Sequence, residues 1–425
     1  MSAKLFFWLL AAALAGAVPP PSAHAQERAL GASVDSLLDY AREQNPEYAA
    51  TRHEAEAATQ RTQSASALAD PVLRIELENI TNYGNGNGFS LLPNQVGSTK
   101  YTLMQPLSLW GKRDLKREAA EAEADQAQGQ SKVTWAELSV RIKSAYAQHY
   151  LVTGNEKLTR EILDLMTRLE KVAQVRYAGG LGAQQDVIRA QIELTGIRGE
   201  LIELEMEQHH VHSRLNGLLA RNVLAPLADA EQLRPLPAAA RLDYAVLENR
   251  LRQHNPQLFA DEARIRSTEK SRDLAYRNRY PDFLVGVAST QSGSRLNEWG
   301  LMLEMNLPLQ QESRRSQERE AESKVLVARA RKEATANQLL TDLSESIAAI
   351  DSARRTENLI STSLLPQAEL AFQSALAAYQ NGKVDFATLL DAQRQIRKAK
   401  LDRLKKQAEA QVRLAEIERL LGEDL

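Results

Sequence analysis

Apolar positions along this chain follow two different rhythms. Between residues 111 and 177 there is no proline, and Leu158, Ile162, Leu165, Leu169 and Val172 recur at alternating steps of four and three. The spacing continues through Leu194, Ile197, Leu201, Leu204, Val211, Leu215 and Leu218, and returns in Leu340, Leu343, Ile347 and Ile350. Such alternation keeps one narrow apolar stripe facing a partner helix, which is the seam of a coiled coil. An ordinary helical bundle is the competing reading, but helices beyond about 25 residues are uncommon there. A continuous helix over 111–177 would reach about 100 Å at its usual rise. Gly129 and Gly154 lie inside it as candidate kinks.

The second rhythm has period two. Leu73, Ile75 and Leu77 alternate with Arg74, Glu76 and Glu78, and Phe283, Val285 and Val287 alternate with Leu284, Gly286 and Ala288. Trp299, Leu301, Leu303, Met305 and Leu307 alternate with Gly300, Met302, Glu304 and Asn306, while Tyr101, Leu103 and Leu107 form the weakest case. This predicts strands over about 72–80, 98–107, 282–290 and 299–307. Two surface hairpins resting on a soluble core would show the same alternation, but the narrow-striped helices around them leave nothing to build that core. The other reading is a membrane barrel, whose strands of about 9–11 residues turn apolar side chains to lipid. Trp110 and Tyr280 fall at one end of these strands and Trp299 at the other, as interface aromatics would. Four strands cannot close a barrel, and an open edge in lipid leaves backbone groups without partners. The barrel is therefore shared between chains: two copies give a filled interior, three an open bore.

The pattern is written twice. YAGGLGAQQDVIRAQ, from Tyr177 to Gln191, returns as YQNGKVDFATLLDAQ, from Tyr379 to Gln393. Asn-Pro at Pro46 returns at Pro256, and Pro71 at Pro281. The offset shortens only between Pro71 and Pro106, where TNYGNGNGFSLLPNQVGS faces the shorter QSGSRLNE, as a surface loop would. The halves are read as a first repeat over 26–224, a proline-rich connector over 225–241 and a second repeat over 242–425. Gly179-Gly180 and Asn381-Gly382 are reversal signals, so helical hairpin tips are expected at about 177–186 and 379–388.

Composition narrows the setting. The first 25 residues run from one lysine through a short apolar stretch to Ala-His-Ala, the layout of a cleaved secretory signal. No later segment holds the ~18 consecutive apolar residues of a spanning helix. The chain has no cysteine, which excludes a lipid-anchored N-terminal cysteine and suits a bacterial envelope protein. A formal net charge of −2 implies no basic face for nucleic acid.

Together RYAGGLGAQQDVIRAQ, YQNGKVDFATLLDAQ, NPEYAATR, NPQLFADEAR and QPLSLWGKR resemble the TolC-like outer-membrane efflux family over nearly the whole mature chain. The resemblance implies a mainly α protein with a small membrane β part. Three copies would form an α-barrel of long antiparallel coiled-coil helices, capped by a shared twelve-stranded β-barrel in outer-membrane lipid. Its tips would close the tunnel and dock on a periplasmic adaptor (membrane fusion) protein joined to an inner-membrane pump. By the same resemblance Asp186 and Asp391 are expected to constrict the tunnel mouth, with Arg176 and Tyr379 in the contacts that hold it closed. Thr388 stands where one family pattern has a further Asp, so one acidic ring is expected to be missing. Tyr177, Gly180, Gly182, Gly382, Ala190, Gln191, Ala392 and Gln393 would form the adaptor-docking tip. A plain helix-capping role is the competing reading for either aspartate.

VLRIELENI, the Gly/Asn loop and QPLSLWGKR look most like the heavy-metal branch, which serves resistance-nodulation-division cation pumps. The expected function is thus an exit duct for metal cations, with drug efflux and type I protein secretion as alternatives that need the same tunnel. A soluble periplasmic coiled-coil scaffold is the alternative of a different class. No catalytic signature, phosphate loop or cofactor motif is found, and transport through the duct would be passive. His209, His210 and His212 invite a metal reading, but no third ligand of suitable spacing accompanies the i, i+3 pair, so a solvated helix face is expected.

Overall fold

The structure is a computed structural model and describes residues 30–81 and 88–425; the signal segment and part of the Gly/Asn loop lie outside the described residues. Helices α1 (Val34–Gln44) and α2 (Pro46–Ser66) lead into strands β1 (Val72–Glu78) and β2 (Ser98–Leu107), then the long helices α3 (Lys112–Ala178) and α4 (Gln184–Leu218). The same order follows the connector: α5 (Tyr244–His254), α6 (Pro256–Arg277), β3 (Phe283–Ser292), β4 (Arg295–Met305), α7 (Gln311–Leu359), α8 (Leu365–Gln380) and α9 (Phe386–Leu421).

The two Asn-Pro pairs show how duplicated sequence becomes duplicated structure. Pro46 and Pro256 open α2 and α6, where a missing N–H costs nothing. Asn45 caps α2 by accepting from Tyr48 N at 3.0 Å, and Asn255 caps α6 by accepting from Leu258 N at 2.9 Å. Each then donates through Nδ2 to a carbonyl at the end of its half's return helix, Asn45 to Leu218 O and Asn255 to Leu420 O, both at 2.8 Å. Both asparagines are buried, so each amide satisfies two orphaned helix ends at once.

All four strands form one antiparallel sheet in the order β1-β2-β3-β4. Below it, α3 packs between α2 and α6, and α6 against α7. Toward the tips, α3 packs between α4 and α9, and α8 against α9. One cluster of buried residues lies in each half's middle, around Leu37, Ile142 and Leu215 and around Leu247, Leu343 and Ile417. A third fills the tips around Met166, Ile197, Tyr379 and Phe386.

Helix α3 runs 67 residues without interruption. Gly129 and Gly154 are close approaches rather than kinks: a Cβ on Gly129 would meet Ala260 at 2.8 Å, and one on Gly154 would meet the Leu404 side chain at 3.2 Å. The corresponding arm of the second half is broken. A π turn over Ile360–Leu364 separates α7 from α8, and Pro366 follows in the first turn of α8. Proline cannot donate to the carbonyl four residues back, and the wider turn absorbs that missing bond.

The connector is fastened by charge. Buried Lys143 on α3 reaches Glu418 at 2.6 Å and Asp424 at 2.5 Å, while Arg234 of the connector reaches Glu418 at 2.8 Å. Sequence pattern gave no sign of this network, because its members are far apart along the chain.

Candidate gate and membrane-facing wall

Both hairpin tips are built by the same turn. Leu181 N donates to Arg176 O and Lys383 N to Ala378 O, each at 2.8 Å, while Gly180 and Gly382 take φ of 70° and 72°. That left-handed position after a helix is where glycine carries no steric penalty.

Arg176, at the end of α3, ties the tips together. Its Nη1 donates to Gln380 O at 2.5 Å and its Nη2 to Leu181 O at 2.9 Å, and the guanidinium lies 5.0 Å from the Tyr379 ring centroid. Tyr379 is buried edge-on against Phe386, centroids 5.4 Å apart, and its hydroxyl donates to Asp186 Oδ2 at 3.4 Å. Burial, and then the Asp186 charge, push the phenol above its ordinary pKa, so it stays a donor at neutral pH. The structure thus brings Arg176, Tyr379 and Asp186 into one cluster.

Asp391 stands apart on α9, 70% exposed, with Arg394 Nη1 at 3.8 Å; that arginine is held chiefly by Glu193 at 2.7 Å. Asp385, not singled out from sequence, caps α9 by accepting from Thr388 N at 3.0 Å and Thr388 Oγ1 at 2.6 Å. Those bonds hold its carboxyl below the usual range. A residue with a side-chain oxygen three positions before Thr388 was the available signal.

Burial corrects part of the docking expectation. Tyr177, Gly180, Gly382 and Gln191 are exposed and Gly182 is half-buried, whereas Ala190, Ala392 and Gln393 are buried between helices and offer no surface. They recur in both halves because each hairpin needs residues there that let its helices close. The histidine run is a solvated face only in part: His209 and His210 are exposed, whereas His212 is half-buried. His212 packs edge-on against buried His149, centroids 4.7 Å apart, and His149 Nε2–H donates to Ala228 O at 3.0 Å. Burial lowers the pKa of both. Among the described residues no group of three or more His, Cys, Asp and Glu is arranged to hold a metal.

At the other end the sheet shows two unlike faces. Register puts Leu73 beside Leu103, Leu103 beside Val287, and Val287 beside Leu301. Ile75, Tyr101, Ser289 and Trp299 form the next row, and Gln105, Val285 and Leu303 the row before. Leu301 is 88% exposed and Trp299 74%, so among the described residues nothing covers this part of the face. From Phe283 to Ser289 it spans about 20 Å, close to the apolar band of a membrane barrel. The opposite face carries Arg74, Glu76, Lys100, Thr290, Glu298 and Glu304. Among the described residues β1 pairs only with β2 and β4 only with β3, so both outer edges lack a partner there.

Aromatic rings mark the helical end of this band. Trp110 and Tyr280 stack with centroids 5.2 Å apart, and Trp110 Nε1 donates to Pro281 O at 3.1 Å. Lys112, buried, donates to Tyr280 O at 2.8 Å and pairs with Asp282 at 2.9 Å. The Trp-Gly pair makes this corner possible through successive left-handed residues, with φ of 64° and 72°. Trp299 lies toward the far end, opposite Ser289.

A sheet with one bare apolar face, two unpaired edges and a long helical rod below it defines a barrel-forming channel subunit. Residues 34–221 and 247–423 match the outer membrane efflux protein family in two segments, one per repeat, and the chain belongs to that family of outer-membrane channels. It is 24% identical over 326 residues to the cobalt-zinc-cadmium resistance protein CzcC of Cupriavidus metallidurans, covering 75% of each chain. Among solved structures it is similar to the outer membrane protein VceC of Vibrio cholerae, with a TM-score of 0.78 and 17% identity over 92% of this chain and 96% of that one. It is also similar to the channel protein CusC, with a TM-score of 0.77 and 15% identity over 92% of each chain. The fold is that of TolC-like channels, with a helical barrel below a β-barrel in the outer membrane of Gram-negative bacteria.

Proposed function

We propose that three copies of this chain form the exit duct of a tripartite efflux pump, passively conducting heavy-metal cations delivered by a resistance-nodulation-division pump through a periplasmic adaptor. The bare apolar face with its two unpaired edges carries the ring reading. Backbone groups at those edges are tolerable in lipid only if β1 of one copy pairs with β4 of the next. A soluble scaffold would have to hold the same face in water. The similarity to CzcC, named for cobalt, zinc and cadmium resistance, supports the choice of cargo.

In this reading the Arg176–Tyr379–Asp186 cluster keeps the two tips of each copy together and the tunnel mouth narrow. Opening has to release the Gln380 carbonyl and a buried phenol. Asp391, exposed near the mouth, would be repeated three times about the axis, and such a carboxylate ring concentrates cations and repels anions. Tyr177, Gly180 and Gly382 are left free for the adaptor, and Trp110, Tyr280 and Trp299 for the lipid interfaces.

Deletion and complementation test the cargo. Loss of the gene should lower tolerance to zinc, cadmium, cobalt, copper or silver salts, and a plasmid copy should restore it. Unchanged metal tolerance with altered drug tolerance would move the assignment to drug efflux.

A further inference from the structure

The first half outgrows the second in the loop between β1 and β2, and the longer loop carries apolar residues where the β3–β4 turn, around Gly293, is polar. Phe89, Leu91 and Leu92 each stand more than half exposed. Large apolar side chains grouped on one short segment cost free energy in water, and such a patch marks a surface that meets an apolar medium.

Hydrogen bonds fix where this segment lies. Ser90 N donates to Ile80 O at 3.0 Å and Gly97 N to Asn79 O at 3.4 Å, so the chain returns to the height of the strand ends. Leu92 N donates to Ser90 Oγ at 3.2 Å, and Gln95 N to Leu92 O at 2.9 Å, which keeps the segment a closed turn. Thr99 Oγ1 then donates to Pro93 O at 3.1 Å, and Thr99 is fully buried. Thr99 shares a side of β2 with Tyr101 and Leu103, the side of the sheet that carries Val287 and Leu301. Pro93 is therefore laid over the outer wall, and the turn is held outside the bore rather than across it. It rests on β2, one strand in from the β1 edge that a second copy would meet.

Its height is equally defined. Thr99 pairs with Gln291, about 26 Å along β3 from Phe283, where the apolar band of a membrane barrel, about 25 Å tall, comes to its end. The row just below holds Tyr101 and Trp299, rings of the kind that mark a membrane–water boundary.

We propose that Phe89, Leu91 and Leu92 insert into the outer leaflet of the membrane, with lipid acyl chains as their partner at the headgroup boundary. The inference rests on the barrel reading above and adds a second lipid contact, made by a loop rather than by the strands. Continuity decides the occupant: the turn lies against a wall already facing lipid, at the level where chains meet headgroups. One such anchor per copy sets the height of the barrel in the bilayer and resists its tilt, a task the polar β3–β4 turn cannot share.

The chain has no cysteine, so single fluorophores can be placed in the full protein reconstituted into phosphatidylcholine vesicles. A label at Leu92→Cys should be quenched about twofold more by spin labels near the lipid headgroup than by those near the chain end, and little by iodide in the water. At Leu301→Cys, in the middle of the wall, the chain-end labels should quench more. At Leu181→Cys, on the exposed tip, only iodide should quench. Heat-resistant oligomers on gels confirm that each variant folds. If iodide quenches the label at 92 as freely as the label at 181, the loop stands in water; if neither lipid nor iodide reaches it, a neighbouring copy covers it. Either result overturns the anchor while the label at 301 upholds the wall. A label at 301 that no lipid quencher reaches would overturn the wall and the anchor together.

Discussion

The two hairpin tips share a backbone and differ in what they do with it. Gly180 and Gly382 close identical turns, yet Tyr177 is 48% exposed while Tyr379 is 2% exposed. By the repeat offset, Arg176 corresponds to Ala378, Ala183 to Asp385, and Asp186 to Thr388. The first tip supplies the guanidinium and the carboxylate. The second supplies the phenol, the Gln380 carbonyl and a self-capped helix. Duplication provided the turn twice, and divergence split the contact between the tips into complementary halves.

The sharpest break is to remove the equivalent tyrosines one at a time. Tyr379→Ala should destabilise the tip by about 3–5 kcal/mol, as for a large buried aromatic, and raise basal conductance in planar bilayers. Tyr177→Ala should stay within about 0.5 kcal/mol, as for an exposed surface position. Hydrogen exchange over residues 372–392 reads the difference, and equal losses would erase the distinction between the tips. Arg176→Ala comes next, at about 1.5–3 kcal/mol for its charge-assisted bonds. Arg176→Lys should recover only part, since an ammonium cannot present a planar fork to two carbonyls.

Capping gives a smaller, reciprocal test. Asp385→Ala should speed amide exchange in the first turn of α9, and Ala183→Asp should slow it in the first turn of α4, which has no side-chain cap. Asp391→Asn should change stability least, by less than about 0.5 kcal/mol, while lowering cation-over-anion selectivity in single-channel recordings. Unchanged selectivity would remove Asp391 from the conduction path.

Much of this architecture was legible because two media meet along the strands. Leu301 and Glu304 face different surroundings, so alternation is written plainly into β4, whereas β2 carries Pro106 and a mixed outer face and reads weakly. β4 begins at Arg295, earlier than its apolar alternation, because the Gly293 turn lets polar residues pair beyond the apolar band. The tip turns were readable from glycine; resemblance put Arg176 and Tyr379 in helix–helix contacts and Asp186 at the constriction, but gave no sign that Asp186 accepts from the Tyr379 hydroxyl. Lys143 with Glu418, and His149 with His212, were not readable: partners so distant leave no local pattern. The broken arm of the second half was not anticipated either: Pro366 was an available signal, but proline alone does not say whether a helix ends, kinks or widens. The misreading of Ala190, Ala392 and Gln393 has a plain cause, since a repeated residue can serve interior packing as readily as a shared surface.

Closure of the sheet by neighbouring copies is most directly tested by native mass spectrometry of the protein, extracted from outer membranes in mild detergent. Ring formation through β1 and β4 requires a species of three times the mature chain mass that persists on dilution. A monomer retaining its fold at every concentration, with the Leu301 face covered by its own helices, would contradict it.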